Sequence, residues 1–288
     1  MSIWLVNLFY VVDNCHNFFR IFMKKKVTLI KLGGSVITNK DIPMSLRKDV
    51  LSRLVEEIAE ARKELPDTLF VVGHGQGSFG HVPAHQYKTM QGFINDESRY
   101  GMAVVQDTAA QLNRIVVHEF IRHDIPAVSL YPSNSLVTNN RVAENYCTDV
   151  FEEYIKQGLF PITSGDVIVD KKLGCTIWSA EEVLSFYAQQ FADRGWQVEQ
   201  IVHVTEVAGM LDHEKKLIYK VSEQNWPSLK TALTATKGFD VTGGMGLKIE
   251  ESLRLVKKGI LSKIISGLVE DNLYNTLTQK NWVGTQII

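Results

Sequence analysis

Short apolar runs alternate with longer segments of helical periodicity from one end of the chain to the other, and this pattern constrains the fold more than any other feature. It prescribes an α/β architecture. The apolar runs fall at 27–32, 69–72, 127–131, 161–163, 167–169, 201–205, 263–266 and 284–288. Most are apolar on both faces, as strands are when helices cover both sides of a mainly parallel sheet. After the first run, Leu46, Val50, Leu54, Ile58 and Ala61 recur three or four residues apart. Arg47, Lys48, Glu56, Glu57 and Lys63 take the other side, which is the mark of an amphipathic helix. Further helices are expected over 98–123, 148–157, 180–193, 226–233, 246–258 and 271–276, with a β-hairpin over 166–177 that turns at 170–174.

A chain of 288 residues, 45% hydrophobic and 22% charged, can bury a sizeable core as one large or two small domains. No repeat or linker divides it, and a soft boundary near residue 175 is the most the pattern supports. The formal charge of −1, from 31 basic and 32 acidic residues, carries no polyanion-binding signature, so nucleic acid is not an expected partner. Cys15, Cys147 and Cys175 are widely spaced and form no CxxC pair. They argue against a disulfide frame or structural zinc and fit a reducing cytoplasm. Residues 1–22 carry their lysines after the apolar stretch and are interrupted by Asp13, Asn14, His16 and Arg20. They suit neither a secretory signal nor a spanning helix of about 20 apolar residues, so no membrane association is expected. Met23 is the expected start, with 1–22 an upstream or poorly ordered extension.

Three glycine-bearing elements stand at strand ends. The densest is GHGQGSFGH at 73–81, four glycines and two histidines in nine residues. Glycine permits the close approach and positive φ that let backbone N–H groups cradle an anion, so this stretch reads as a phosphate loop. KLGGS at 31–35 turns the backbone at Gly33 and Gly34, with Lys31 and Lys40 reaching the same anion from two directions. VTGGMGLK at 241–248 puts Gly243 and Gly244 before a helix whose amino terminus attracts anions, with Lys248 one turn in. Three such elements suit a polyphosphate and an acceptor better than a single anion. GxxxxGK[ST] is absent, and GHGQGS lacks the last glycine of GxGxxG, so neither a P-loop nor a dinucleotide reader is indicated.

Four blocks occur in one order: IKLGGSVIT-x-K at 30–40, GHG-x-GSFGH at 73–81, SGDVIVD at 164–170 and DVTGGM-x-x-K at 240–248. Together they resemble the amino acid kinase superfamily, and within it the isopentenyl phosphate kinases, over residues 27–288. The resemblance implies a three-layer α/β/α sandwich around a central, mainly parallel sheet, usually dimeric. It implies one domain over 23–288, with an acceptor-binding part at about 23–175 and a nucleotide-binding part at about 176–288. The implied reaction moves the γ-phosphoryl of ATP, with Mg²⁺, to a small phosphomonoester, isopentenyl phosphate foremost; no side chain is assigned as a metal ligand. By matching motif, Lys31, Gly33, Gly34 and Ser35 line the nucleotide phosphates, and Thr205, Glu206, Gly209 and Gly244 belong to the same nucleotide site. Lys40 and Lys248 neutralise the transferring group, His81 hydrogen-bonds the acceptor phosphate, and Gln76, Gly77 and Gly165 contact it through backbone. Phosphoryl transfer asks for in-line positioning and positive charge. An acceptor that is already anionic needs no strong base, so a histidine that donates and orients can suffice.

The chain departs from that pattern in places. Gln76 stands within what is usually a run of three glycines, so this position is not left-handed or the loop is reshaped, and its amide is able to touch the acceptor. Glu181, in WSAEE, replaces the aspartate that orients the lysines and is one methylene longer. VTEVAG at 204–209 puts Glu206 and Ala208 at two positions that are usually acidic aspartates. These changes leave open a phosphonate kinase of the fosfomycin type and a non-catalytic nucleotide-binding protein on the same fold. His74 reads as structural, and Asp166 equally as a hairpin or a site residue. His85, Tyr87 and Phe93 read as a lid or apolar wall, or as an ordinary amphipathic segment. Met102, Val105, Ala109 and Leu112 read as core or dimer face rather than tail pocket.

Overall fold

The computed structural model describes residues 26–39, 41–234 and 244–288. The extension at 1–22, the start at Met23, Lys40 and the block at 240–243 lie outside the described residues. Eight strands form one sheet: β1 (Lys26–Leu32), β2 (Thr68–His74), β3 (Ala127–Ser129), β6 (Phe160–Ser164), β9 (Gln197–Thr205), β10 (Lys220–Val221), β11 (Leu261–Ser266) and β12 (Gly284–Ile287). Their order is β10-β12-β11-β9-β1-β2-β6-β3. Every pairing is parallel except β11 with β12. A second sheet, β5-β4-β7-β8, joins β4 (Leu136–Asn139), β5 (Val142–Tyr146) and the expected hairpin, which is β7 (Asp166–Asp170) and β8 (Gly174–Trp178).

Alternate residues of the main sheet enter two cores. Ile30, Leu32, Val72, Ile162 and Val204 pack against α2 (Lys48–Glu64), α4 (Glu97–Arg122) and α9 (Asn272–Leu277). Leu29, Val71 and Ile201 face the other way, onto α5 (Asp149–Lys156) and α6 (Ala180–Asp193). Beyond them, Ile264 and Ile287 meet Ile249 and Leu253 of α8 (Gly244–Val256) and Trp226 of α7 (Trp226–Thr234). This is the three-layer α/β/α sandwich, and each fully buried Leu or Ile in it contributes roughly 2 kcal/mol. Among the described residues no helix is long and apolar enough to cross a membrane.

Two short helices change the reading of the glycine elements. Gly34–Ile37 forms one turn, α1, and Gly77–Gln86 forms α3, so GHGQGSFGH is the end of a strand, a two-residue link and the start of a helix rather than a loop throughout. His81 sits on that helix. From β1 the chain fills one side of the sheet with β2, β3 and β6, the last inserted between β2 and β3, and then crosses to the other side with β9, β10, β11 and β12. Direction therefore reverses between β1 and β9, and open α/β sheets bind ligands at the carboxyl edge of such a switch point.

Candidate functional site

At that carboxyl edge the first two glycine turns pack backbone against backbone. Gly33 N–H donates to Val204 O at 2.9 Å and Gly75 N–H to Leu32 O at 2.9 Å, extending the sheet past its strands. A Cβ on Gly34 would lie 2.4 Å from Gly77 N, and one on Gly75 would lie 2.7 Å from Gly34 N. Gly77 has φ +50°, and a Cβ there would sit 2.0 Å from Thr38 Oγ1. Thr38 clamps both turns, donating to Gly34 O at 2.7 Å and accepting from Ser78 N–H at 3.0 Å. The amino termini of α1 and α3 are thereby held together, and first-turn N–H groups without intrahelical partners are suited to anions.

Beside these turns lies a shared ion pair. Glu181 Oε1 is 2.8 Å from Lys31 Nζ at the end of β1 and 3.1 Å from Lys248 Nζ in α8. Glu181 is in the first turn of α6, whose entry is fixed by a capping box: Glu182 N–H donates to Ser179 Oγ at 3.2 Å and Ser179 N–H to Glu182 Oε2 at 2.7 Å. Burial opposes the Glu181 carboxylate, but Lys31 and Lys248 outweigh it and hold the carboxyl well below its usual range. Burial pulls the Lys31 ammonium down, with Glu181 opposing. Two ammonium groups on one carboxylate leave one positive charge uncompensated in a largely buried place. An anion such as a phosphoryl group would supply the missing negative charge.

This centre opens into a cavity of about 850 Å³. Lys31, Gly34, Ser35, Gln76, Gly77 and Glu181 line its charged end, and His81 lines the wall along α3. Farther along stand Ala84, Val105, Ala109 and Ile177, with His85 and Lys88 beside them. Ten residues of α3 span roughly 15 Å, so the wall runs from a charged end to a mainly apolar one. Gly165 and Asp166 also line it. Asp166 accepts from Ser133 N–H at 3.0 Å and from Val167 N–H at 2.8 Å, and burial raises its carboxyl above the ordinary value.

A profile of the amino acid kinase family matches residues 26–266. The chain belongs to that family. The isopentenyl phosphate kinase of Methanothermobacter thermautotrophicus is 30% identical over 277 residues, 90% of this chain and 98% of its own length. That of Methanocaldococcus jannaschii is 29% identical over 259 residues, 87% and 95% of the two chains. A solved structure of an isopentenyl phosphate kinase superposes with a TM-score of 0.77 at 26% identity, covering 91% of this chain and 100% of its own. Acetylglutamate kinase of Nitratiruptor sp. is 30% identical over 287 residues, 93% of this chain and 94% of its own length. The chain is a phosphotransferase, and such kinases draw on ATP.

The family member's expected site residues do not all meet in the cavity. Thr205 closes its own loop, its hydroxyl 2.9 Å from Val207 O and 3.1 Å from Ile265 O. Glu206 pairs with Arg47 at 3.1 Å. Thr205, Glu206 and Gly209 stand at or beyond the end of β9 and do not line the cavity, and Gly244 opens α8. Val105 and Ala109, read as core or dimer face, line the cavity, while Met102 and Leu112 stay in the core. His85 lines it too, whereas Tyr87 and Phe93 do not. His74 is fully buried between Gly75 O at 3.2 Å and Asn113 Nδ2 at 3.1 Å. His203 escaped the sequence reading. It pairs with Lys31 across β1 and β9, and both ring nitrogens are buried without a partner among the described residues. Burial, aided by Lys248, lowers it to about 3. Its one signal in the sequence is an imidazole inside the apolar run at 201–205.

Proposed function

We propose that this kinase phosphorylates the phosphate of a small monoester with an apolar tail, isopentenyl phosphate foremost, to give the diphosphate. The observation that carries the reading is the Lys31–Glu181–Lys248 bridge at one end of a cavity whose other end is mainly apolar. The named isopentenyl phosphate kinases among the relatives support the same acceptor.

The charge and the glycines assign the roles. Lys31 and Lys248, with the first-turn N–H groups at Gly34 and Ser35, would hold the donor phosphates, and Glu181 keeps both ammonium groups aimed before the nucleotide arrives. His81 would hold the acceptor phosphate, its imidazole as donor and orienter, together with the backbone at Gln76 and Gly77. Ala84, Val105, Ala109 and Ile177 would take the tail. Gly77 and His81 on the acceptor side lie within 23–175, whereas the donor side would draw on both parts, Lys31, Gly34 and Ser35 from the first and Glu181 and Lys248 from the second. Among the described residues no group of three or more His, Cys, Asp or Glu side chains could hold a metal ion, and Glu181 is already engaged by two lysines. The donor set therefore suits Mg²⁺ carried on nucleotide phosphates, where it would neutralise charge on the oxygens in transfer.

ADP release measured with isopentenyl, dimethylallyl and longer prenyl monophosphates, with fosfomycin as competitor, tests the reading. Turnover of a prenyl monophosphate that falls about 10²-fold or more in His81→Ala, with an unchanged melting temperature, is expected. Full activity of His81→Ala with every phosphate acceptor, or preference for the phosphonate, overturns the acceptor assignment.

A further inference from the structure

Gln76 does something that a glycine in its place cannot. Its backbone is right-handed, φ −79° and ψ −22°, so the residue brings no strain to the turn. Its side chain runs across the first turn of α3: a Cβ on Gly80 would lie 2.6 Å from Gln76 Cβ and 3.0 Å from Cγ. The bare backbone at Gly80 is what gives the glutamine passage. At the far end Nε2 donates to the carbonyl of Gly165, in the link between β6 and β7. Gly165 is fixed in turn. Its N–H donates to His74 O at 3.1 Å, and a Cβ there would meet Ala180 N at 3.0 Å. Ala180 precedes Glu181, whose carboxylate holds both lysines.

We infer that Gln76 is a positioning residue: a strut that sets the helix bearing His81 at a fixed separation from the Lys31–Glu181–Lys248 centre, anchored through Gly165. The inference rests on the acceptor reading given above and extends it to a side chain that a glycine would lack. In-line transfer tolerates little slack between the two phosphates, so their two holders need a rigid connection. Filling space does not account for the amide. Its Oε1 is buried with no partner among the described residues. A leucine would occupy similar volume without burying an orphaned acceptor. The bond from Nε2 to Gly165 is what the amide adds. Gly80 and Gly165 are both committed to the arrangement, one as passage and one as anchor.

Steady-state kinetics of the full chain with ATP and isopentenyl phosphate, alongside melting temperatures, provide the test. Gln76→Leu keeps the bulk and loses the donor, and Gln76→Asn keeps the donor but is too short to reach Gly165. Both should raise the KM for the acceptor about fivefold, the worth of one buried hydrogen bond, and leave the KM for ATP unchanged. A general loss of structure would move both constants. Gly80→Ala should lower kcat/KM for the acceptor about tenfold when Gln76 is present, and cause no further loss in a Gln76→Gly background, because the clash needs both side chains. Wild-type constants in Gln76→Leu, or an equal effect of Gly80→Ala in both backgrounds, overturn the strut. If the wild type does not turn over isopentenyl phosphate, the acceptor reading alone fails. The strut is then decided by whether Gly80→Ala lowers the melting temperature only where Gln76 is present.

Discussion

The two ends of the cavity are made of different material. At the charged end Gly34, Gly75 and Gly77 touch through their backbones, with room for no further atom, and one carboxylate oxygen serves two lysines. At the other end Ala84, Val105, Ala109 and Ile177 present ordinary apolar side chains. Backbone contacts of this kind admit almost no substitution, whereas apolar walls can be recut a methylene at a time. Under the proposed function, the reaction would be fixed by the part of the molecule that cannot vary, and the tail selected by the part that can.

The largest effect should come from breaking the charged end. Lys31→Ala leaves Glu181 with Lys248 alone and removes the surplus positive charge, so kcat should fall about 10³-fold while the fold survives. A single-turnover assay of ADP release reads this directly. A fall of less than tenfold would make the bridge a structural ion pair rather than a phosphoryl site. Gly34→Ala attacks the same end through packing. The added Cβ would meet Gly77 N at 2.4 Å, and neither backbone can yield without dragging α1 or α3. A loss of about 3 kcal/mol in denaturant unfolding is expected, at the upper end of overpacking costs. A variant as stable as the wild type would show that the two turns are not in contact.

The contrast also explains what could be read from the sequence. The strands of the main sheet are apolar on both faces because helices cover both, and 27–32, 201–205 and 263–266 all lie within observed strands. β4 and β5 escaped because most of β5 is exposed and its residues carry no alternation. α3 escaped because GSFGHVPAHQ contains glycines and Pro83, which argue locally against a helix; tertiary contacts with α1 and α4 hold it instead. Lys31 and Glu181 stand out in short motifs. That they share one oxygen with Lys248, or that His203 lies beside Lys31, depends on register and on α6 meeting α8, which no local pattern encodes. Val105 and Ala109 repeat at helical spacing like any core residue, and only packing shows that they face a cavity.

At the apolar end a smaller and more selective response is expected. Ala109→Phe fills space beside Val105, so the KM for a long-tailed prenyl monophosphate should rise about tenfold while that for the shortest acceptor stays the same. Equal loss for both lengths would place the tail elsewhere and undo the contrast between the two ends.

The finest test compares two buried histidines on strands that flank β1, His74 on β2 and His203 on β9. Burial lowers them to about 4 and about 3, so both are neutral when folded and take up protons near pH 6.5 on unfolding. Above pH 6.5 neither histidine makes stability depend on pH; below it the unfolded chain takes up protons that the folded one does not, so stability falls as the pH drops toward 4 and then 3. They differ in what surrounds the ring. His74 connects Gly75 O to Asn113, whereas neither nitrogen of His203 has a partner among the described residues. His74→Leu leaves Asn113 and Gly75 O without the imidazole and should cost about 1–3 kcal/mol at pH 7. His203→Leu removes a desolvated polar ring from an apolar strand and should be neutral or stabilising at pH 7, and it should flatten the acid side of the stability profile. Urea unfolding of both variants at pH 7 and pH 5 separates the two environments. An equal cost at pH 7 would mean that His203 has a partner as strong as that of His74, and would place that partner beside the lysine bridge.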